Sequence, residues 1–369
     1  MQNKELASVS GALASLIRRA IERDGGWLPF DRFMAMALYA PGLGYYARGD
    51  RQFGALPSSG SDFITAPELS PLFGRALATQ VGQALDGCGA GDVWEFGAGT
   101  GALALQLLDV LGERIARYHI VDLSGTLRER QRKTLAAHAA KVVWLDALPD
   151  RMSGVVVGNE VLDAMPVQLL HFDGQHWFER GVTAVDGGFA WSDQPTDLRP
   201  PHDGPFLPGT VTEIHRQAQA YIATLAERME RGAAFFIDYG FPAAEFYFDQ
   251  RVGGTLMCHQ AHRADDNPLV EVGAKDITAH VDFTGIALAG QDAGFEVLGY
   301  ATQARFLMNC GLLEMLQGEG VAAIANAQKL LNEHEMGELF KVIGFAKNCD
   351  EAFTTAPIGF SSGDRTHTL

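Results

Sequence analysis

The sequence predicts an α/β protein built on a parallel, doubly wound sheet, and three observations carry that prediction. Five short apolar runs, Val93 to Phe96, His119 to Val121, Val142 to Leu145, Val155 to Val157 and Ala233 to Ile237, have the composition of strands buried on both faces. Helix-forming stretches separate them, as crossover connections between parallel strands require. The first run passes through Glu95 and Phe96 into Gly97-Ala98-Gly99-Thr100-Gly101 and then into Ala102 to Leu108, giving the order strand, glycine turn, helix.

Ahead of the sheet, Leu13, Leu16, Ile17 and Ile21 recur at helical spacing; Gly25-Gly26 stops that helix, and a second is expected around Phe33 to Leu38. Residues 1–85 therefore read as a helical N-terminal extension, with a Gly- and Ser-rich loop at Gly54 to Ser61. The sheet domain is expected over 86–350. Within it, Val167 to Ala190 changes to a different alternation punctuated by Asp173-Gly174 and Asp186-Gly187-Gly188, the pattern of inserted β-hairpins. The stretch 351–369 mixes Gly, Ser, Pro and Thr and is expected to be a flexible tail.

At 369 residues and 47% hydrophobic, the chain can bury a large core. Its net charge of −16 opposes a polyanionic partner, so a nucleic-acid substrate is disfavoured. The local cluster Arg128, Arg130, Arg132 and Lys133 reads as a solvated helix face. No run of about 18 uncharged apolar residues and no signal-peptide pattern occurs, which predicts neither membrane insertion nor export. The four cysteines, Cys88, Cys258, Cys310 and Cys349, form no Cys-x-x-Cys pair and are expected to be reduced thiols. His259 and His262 stand beside Cys258 without further ligands at metal spacing, so no metal is expected.

The glycine turn is the candidate cofactor site. Gly97, Gly99 and Gly101 let the backbone approach a ligand closely, and Asp122, with Leu123 beside it, ends the second run 21 residues past Gly101, where a ribose-binding acid is expected. Gly97-x-Gly99-x-x-Ala102 also satisfies the looser dinucleotide pattern, which keeps an NAD-dependent oxidoreductase as an alternative. Charge separates the two. Glu95 would repel a pyrophosphate but attracts the ammonium and sulfonium of S-adenosyl-L-methionine (SAM). Asp146, ending the third run, is placed either to accept from an adenine amino group or to form a surface turn. The fourth run leads directly into Asn159, Glu160 and Asp163, which should cluster beyond the strand ends beside the glycine turn and there receive a cationic acceptor; Asp163 as a helix cap and Glu160 in solvent is the plainer reading. Asp238-Tyr239-Gly240 lines the acceptor side or ends a strand.

Beyond the glycine turn, the chain contains Leu38-Tyr39-Ala40-Pro41-Gly42-Leu43-Gly44-Tyr45-Tyr46, Asp62-Phe63-Ile64-Thr65-Ala66-Pro67-Glu68-Leu69-Ser70, Asn159 to Val167, Asp276 to Phe283 and Met336 to Val342. With these motifs it resembles the MidA-like family of class I SAM-dependent methyltransferases, which includes the mitochondrial complex I assembly-factor methyltransferase. Ser61 stands where that family usually has glycine, and Asp122 replaces its common glutamate with the same chemistry. The resemblance implies a Rossmann-like, seven-stranded methyltransferase sheet whose last pair is Phe295 to Tyr300 and Phe340 to Ala346. Insertions would fall near 167–212, 241–282 and, as helices, 301–335. It implies SAM as cofactor, with Thr65, Pro67 and Glu68 folding over its mouth, although Thr65 to Glu68 is also an ordinary helix start. It further implies a protein substrate, an arginine guanidinium that Glu160 and Asp163 would hold, or else a non-catalytic assembly factor that binds its partner. A bacterial cytoplasmic location is expected from a helix beginning within the first few residues, and apolar surface on the extension and hairpins would permit a homodimer.

Overall fold

The computed structural model describes residues 2–47, 64–122, 125–260 and 263–369, and in it all five apolar runs become strands of one sheet. The sheet strands are β1 (Asp92–Phe96), β2 (Arg117–Val121), β3 (Val142–Leu145), β4 (Met152–Asn159), β5 (Met229–Phe241), β6 (Glu296–Thr302) and β7 (Phe340–Lys347). Their order across the sheet is β3-β2-β1-β4-β5-β7-β6. Pairing is parallel from β3 to β5 and antiparallel on both sides of β7. The chain winds outward in opposite directions from β1 and β4, so the crevice beyond their carboxyl ends is the place where a ligand binds in such sheets.

Strand alternation builds two cores. Val93, Val155, Val157, Phe235 and Ile237 face one way, against the helices Pro71–Cys88 and Ala102–Leu111. Trp94, Phe96, Val156, Ala234 and Phe236 face the other, against Arg216–Arg228 and Phe283–Asp292. Each fully buried side chain of this size contributes about 1.5–3 kcal/mol of transfer free energy. The helix Pro71–Cys88 starts on Ser70, whose side chain accepts from the Leu72 N–H, and ends at the left-handed Gly89. It crosses the expected boundary at residue 85 because its apolar face, including Phe73, Leu77, Val81 and Leu85, packs on the sheet.

The extension forms Gln2–Arg23 and Phe30–Tyr39, and packs through Leu13, Ile17, Phe30 and Phe33 against an antiparallel sheet that contains the predicted hairpins, Gln168–Phe172, Trp177–Val185 and Gly188–Pro195. A third, small sheet pairs Met257–Gln260 with Asp276–Thr278. Helices fill 303–331 between β6 and β7, as expected. Among the described residues no helix is long and apolar enough to cross a membrane.

Two expectations are corrected. The stretch 351–369 is not a flexible tail: it forms Glu351–Thr354 and 3-10 turns at Ile358–Phe360 and Thr366–Thr368. Its backbone covers the open edge of β6, where the Arg365 N–H donates to the Tyr300 carbonyl (2.6 Å) and Asp364 accepts from the Tyr300 N–H (3.0 Å). Phe360 lies flat over Gly299 and Gly344, in space that a Cβ at either position would fill. Small residues there serve a close fit, which composition alone reads as disorder. The second correction concerns the thiols. Cys88 and Cys349 are joined in a disulfide, with Cα atoms 4.5 Å apart, because the end of the Pro71–Cys88 helix meets the end of β7; Asp350 donates its N–H to the Gly87 carbonyl (2.8 Å). A separation of 261 residues hid this pairing from the sequence. Cys258 and Cys310 are free and buried.

Unfolding the protein in denaturant without reductant should therefore expose two of its four thiols to a colorimetric reagent, and all four after reduction. Four reactive thiols before reduction would show the bridge to be absent.

Candidate functional site

Residues at the carboxyl ends of β1, β2, β4 and β5 meet the extension and the small third sheet around a cavity of about 1800 Å³. That exceeds the roughly 300–1,000 Å³ of a single small-molecule site and leaves room for a cofactor and an acceptor side chain together. Its lining carries eight carboxylates, Glu68, Glu95, Asp122, Asp146, Asp150, Glu160, Asp163 and Asp276. Arg228 also lines it but is committed to the Leu148 carbonyl (2.8 Å). Such a field favours cationic ligands and opposes a pyrophosphate.

The glycine turn lines one half of the cavity, where the sequence leads one to expect the cofactor. Gly97 has φ +63°, and a Cβ there would stand 3.1 Å from Val161 Cγ2, so any side chain would meet both strain and a wall. Gly97 and Gly99 line the cavity; Gly101 instead leads into the Ala102–Leu111 helix and faces Gln131 and Leu135. Glu95 is buried at the end of β1 and accepts from the Tyr118 hydroxyl (2.8 Å). Burial pushes its carboxyl up to about 8; the Tyr118 hydrogen bond opposes that rise, and the Asp122 charge adds to it. Asp122, buried at the end of β2, accepts from Gln131 Nε2 (2.7 Å), which also reaches the Gly99 carbonyl (3.1 Å). Trp144 Nε1 donates to the same amide (3.0 Å), so Gln131 ties the glycine turn, the expected ribose acid and β3 together. Asp146 is largely exposed and paired with Arg128 (2.7 Å), which donates to the Asp122 carbonyl as well (2.9 Å). Leu123 lies outside the described residues, as do Gly54 to Ser61 and His262.

Thr65 caps the short helix Ala66–Leu69, and this segment is fastened to the turn: Thr100 Oγ1 donates to Glu68 Oε1 (3.0 Å) and Gln106 Nε2 to the Pro67 carbonyl (2.7 Å). Thr65, Pro67 and Glu68 all line the cavity. A turn without side chains, ringed by carboxylates, with Glu68 Oε2 buried and lacking a hydrogen-bond partner, fits a ligand bearing an ammonium and a sulfonium.

Asn159, Glu160 and Asp163 line the other half of the cavity, where the sequence leads one to expect the acceptor. Glu160 sits in the left-handed region (φ +54°), a strained conformation for this residue type, held by its N–H to the Ile237 carbonyl (2.9 Å). Asn159 Nδ2 donates to Glu160 Oε1 (3.0 Å), and burial followed by the Asp163 charge pushes the Glu160 carboxyl up to about 8. Asp163 accepts from the Tyr239 hydroxyl (2.5 Å), while its Oδ1 is buried without a partner; burial pushes this carboxyl up to about 6. Asp163 is thus a cavity wall and not merely a helix cap.

The loop is shaped by Asp238. Its Oδ2 accepts the N–H groups of Val161 (3.1 Å), Leu162 (2.9 Å) and Asp163 (3.2 Å), and Oδ1 accepts that of Tyr239 (3.0 Å). Burial and the charges of Asp163 and Glu160 push the Asp238 carboxyl upward, against these donors. Sequence reasoning placed Asp238 only near the acceptor, and missed Gln131 because it stands inside the basic cluster read as a solvated face. The signal for Gln131 was helical spacing, since Leu127, Gln131 and Leu135 recur four apart and are all buried; Arg128, 15% exposed, also turns toward the Asp122 carbonyl, so the basic cluster is a solvated face only at Arg132 and Lys133.

Comparison with known proteins follows the same line. The S-adenosyl-L-methionine-dependent methyltransferase family matches the chain over residues 72–301. A Burkholderia thailandensis superfamily member, crystallised with S-adenosyl-homocysteine, is 50% identical, covers 99% of this chain and 98% of its own, and superposes with a TM-score of 0.94. A native crystal structure from that organism is 49% identical with a TM-score of 0.90, over 99% and 98%. Among curated relatives, the mitochondrial protein arginine methyltransferase NDUFAF7 of Danio rerio is 27% identical over 84% of this chain and 81% of its own. The Drosophila melanogaster homologue is 28% identical over 84% and 76%.

Asp238→Asn is expected to destabilise the protein by about 2–4 kcal/mol in urea titrations, since the amide offers one acceptor where the carboxylate offers two. An unchanged midpoint would show that the loop is held by other means.

Proposed function

This chain belongs to the S-adenosyl-L-methionine-dependent methyltransferases, and we propose that within that family it methylates a protein side chain, an arginine guanidinium held by Glu160 and Asp163. One observation carries the reading: beside the glycine turn the half-buried Glu160 and the buried Asp163 converge, and Asp163 Oδ1 has no hydrogen-bond partner. A guanidinium is planar, remains charged at neutral pH and presents several N–H donors, so it satisfies such a pair without being neutralised. The names of the NDUFAF7 relatives as protein arginine methyltransferases support the same acceptor.

When bound, SAM supplies an electrophilic methyl carbon next to a sulfonium. The protein's part is positioning and charge. Glu95, Asp122, Thr65, Pro67, Glu68 and the bare backbone at Gly97 and Gly99 would hold the cofactor, with Asp122 at its ribose and Asp146 at its adenine end and Gly101 setting the helix behind them. Glu160, fixed by Asn159 and by its strained backbone, aims one acceptor nitrogen into the crevice. A guanidinium nitrogen that is methylated must give up one proton, and the Glu160 or Asp163 carboxylate would be in place to receive it. A bacterial source is the reading that the 50% identity to the Burkholderia thailandensis protein supports, and a cytoplasmic location is the expectation drawn from the sequence.

The direct test incubates the purified protein with methyl-tritiated SAM and lysate from its own organism, then identifies the labelled residue; label on methylarginine is expected, and label on a small molecule alone would refute a protein acceptor. Glu160→Gln should keep S-adenosyl-homocysteine affinity within about twofold and lower transfer by about 100-fold or more. Wild-type rates in that variant would remove Glu160 from the reaction. Because Glu160 rests near 8 and Asp163 near 6, a cation arriving at lower pH must displace a proton. KM for an arginine peptide should therefore fall as pH rises from 6.5 to 8.5, by up to about tenfold per unit below the higher value, and flatten above it. A pH-independent KM would argue against ionised carboxylates as the grip.

A further inference from the structure

Two motifs remain outside the account above, Leu38 to Tyr46 in the extension and Asp276 to Phe283 before the helix Phe283–Asp292, and the fold brings them together. Tyr46 donates its hydroxyl to Asp276 Oδ1 (2.9 Å). Its ring stacks on Tyr39, with centroids 5.6 Å apart and planes within 21°. Tyr39 is itself anchored by its hydroxyl on the Ala164 carbonyl (2.9 Å). The Asp276 segment runs along the Asp163 loop, since the Ala279 N–H donates to the Asp163 carbonyl (3.0 Å). Tyr39, Tyr46, Asp163 and Asp276 all line the cavity, and Asp163 and Asp276 are only 5% and 3% exposed.

The chemistry of this wall is specific. A guanidinium carries five N–H donors in a rigid plane, more than one carboxylate can accept, and its faces favour aromatic rings. Asp163 and Asp276 both stand on the cavity wall, and the stacked Tyr39 and Tyr46 rings line it from the extension. An ammonium, a compact charge with three donors, uses neither the additional carboxylate nor the aromatic surface as fully. The partnerless Asp163 Oδ1 gives this pocket unused acceptor capacity.

We propose that Asp276, oriented by Tyr46, is a further grip on the acceptor guanidinium beside Glu160 and Asp163, so that the helical extension determines which side chain is methylated. This rests on the preceding reading that the acceptor is a guanidinium. The extension then does more than cover the sheet: it supplies the acceptor wall, while the glycine turn supplies the cofactor wall. Asp276 and Tyr46 act on recognition of the acceptor and not on that of SAM.

The test uses full-length protein, methyl-tritiated SAM and degenerate peptide pools with a fixed central Arg, Lys or Gln, together with calorimetric titration of S-adenosyl-homocysteine. For the wild type, label should enter the Arg pool at least about tenfold faster than the Lys pool and leave the Gln pool unlabelled. Asp276→Asn should raise KM for the Arg pool about tenfold or more, and Tyr46→Phe about threefold, each with S-adenosyl-homocysteine affinity within about twofold. Arg-pool methylation by the wild type with KM unmoved in both variants overturns this proposal and leaves the guanidinium reading standing. Loss of S-adenosyl-homocysteine binding in both variants also overturns it, by making the wall a support of the cofactor site. Preference for the Lys pool, or no labelled pool, overturns the guanidinium reading and this proposal with it.

Discussion

Four backbone N–H groups converge on the carboxylate of Asp238, three from Val161, Leu162 and Asp163 and one from Tyr239. β4 and β5 pair in register from Gly154 and Gly232 to Asn159 and Ile237, so this side chain stands where the chain leaving β4 must turn. The turn puts Val161 against the place a Cβ on Gly97 would take, Glu160 into a left-handed conformation and Asp163 onto Tyr239. Cofactor loop and acceptor carboxylates are thereby set by one group, and a shift in it would move both walls of the cavity together.

The same arrangement concentrates negative charge where water is scarce. Glu95, Glu160 and Asp163 are each pushed upward by burial, so the cavity carries a standing electrostatic cost. Cations entering it relieve that cost, which makes the site selective by charge before any shape is compared. Hydroxyls of Tyr118, Tyr239 and Tyr46 donate to the cavity carboxylates Glu95, Asp163 and Asp276 respectively. They soften the repulsion without adding positive charge that would compete with the ligand.

Much of this was legible in the sequence because it follows local rules. Apolar runs of three to five residues marked β1 to β5, and the Gly97 to Gly101 turn with Glu95 and Asp122 marked one wall of the cavity, since glycine positions and strand ends fix the spacing there. Asn159, Glu160 and Asp163 were found because a strand that ends in polar residues has one place to put them. The rest is long-range. Asp276 and Tyr46 lie 230 residues apart, and the Cys88–Cys349 bridge spans 261. No local pattern reports either. The chain after Asp350 misled for another reason: Gly299 and Gly344 make the notch that Phe360 fills, so its order resides in its partners.

The position of β7 has a consequence for how the protein is made. It lies between β5 and β6 yet follows both along the chain. Both flanking strands leave the ribosome before the one that separates them, and 45 residues lie between the ends of β6 and β7. At ordinary synthesis rates that interval lasts about 2–9 s. For that time β5, thirteen residues long, presents an unpaired edge, and a premature pairing with β6 would lock the nascent sheet one strand short.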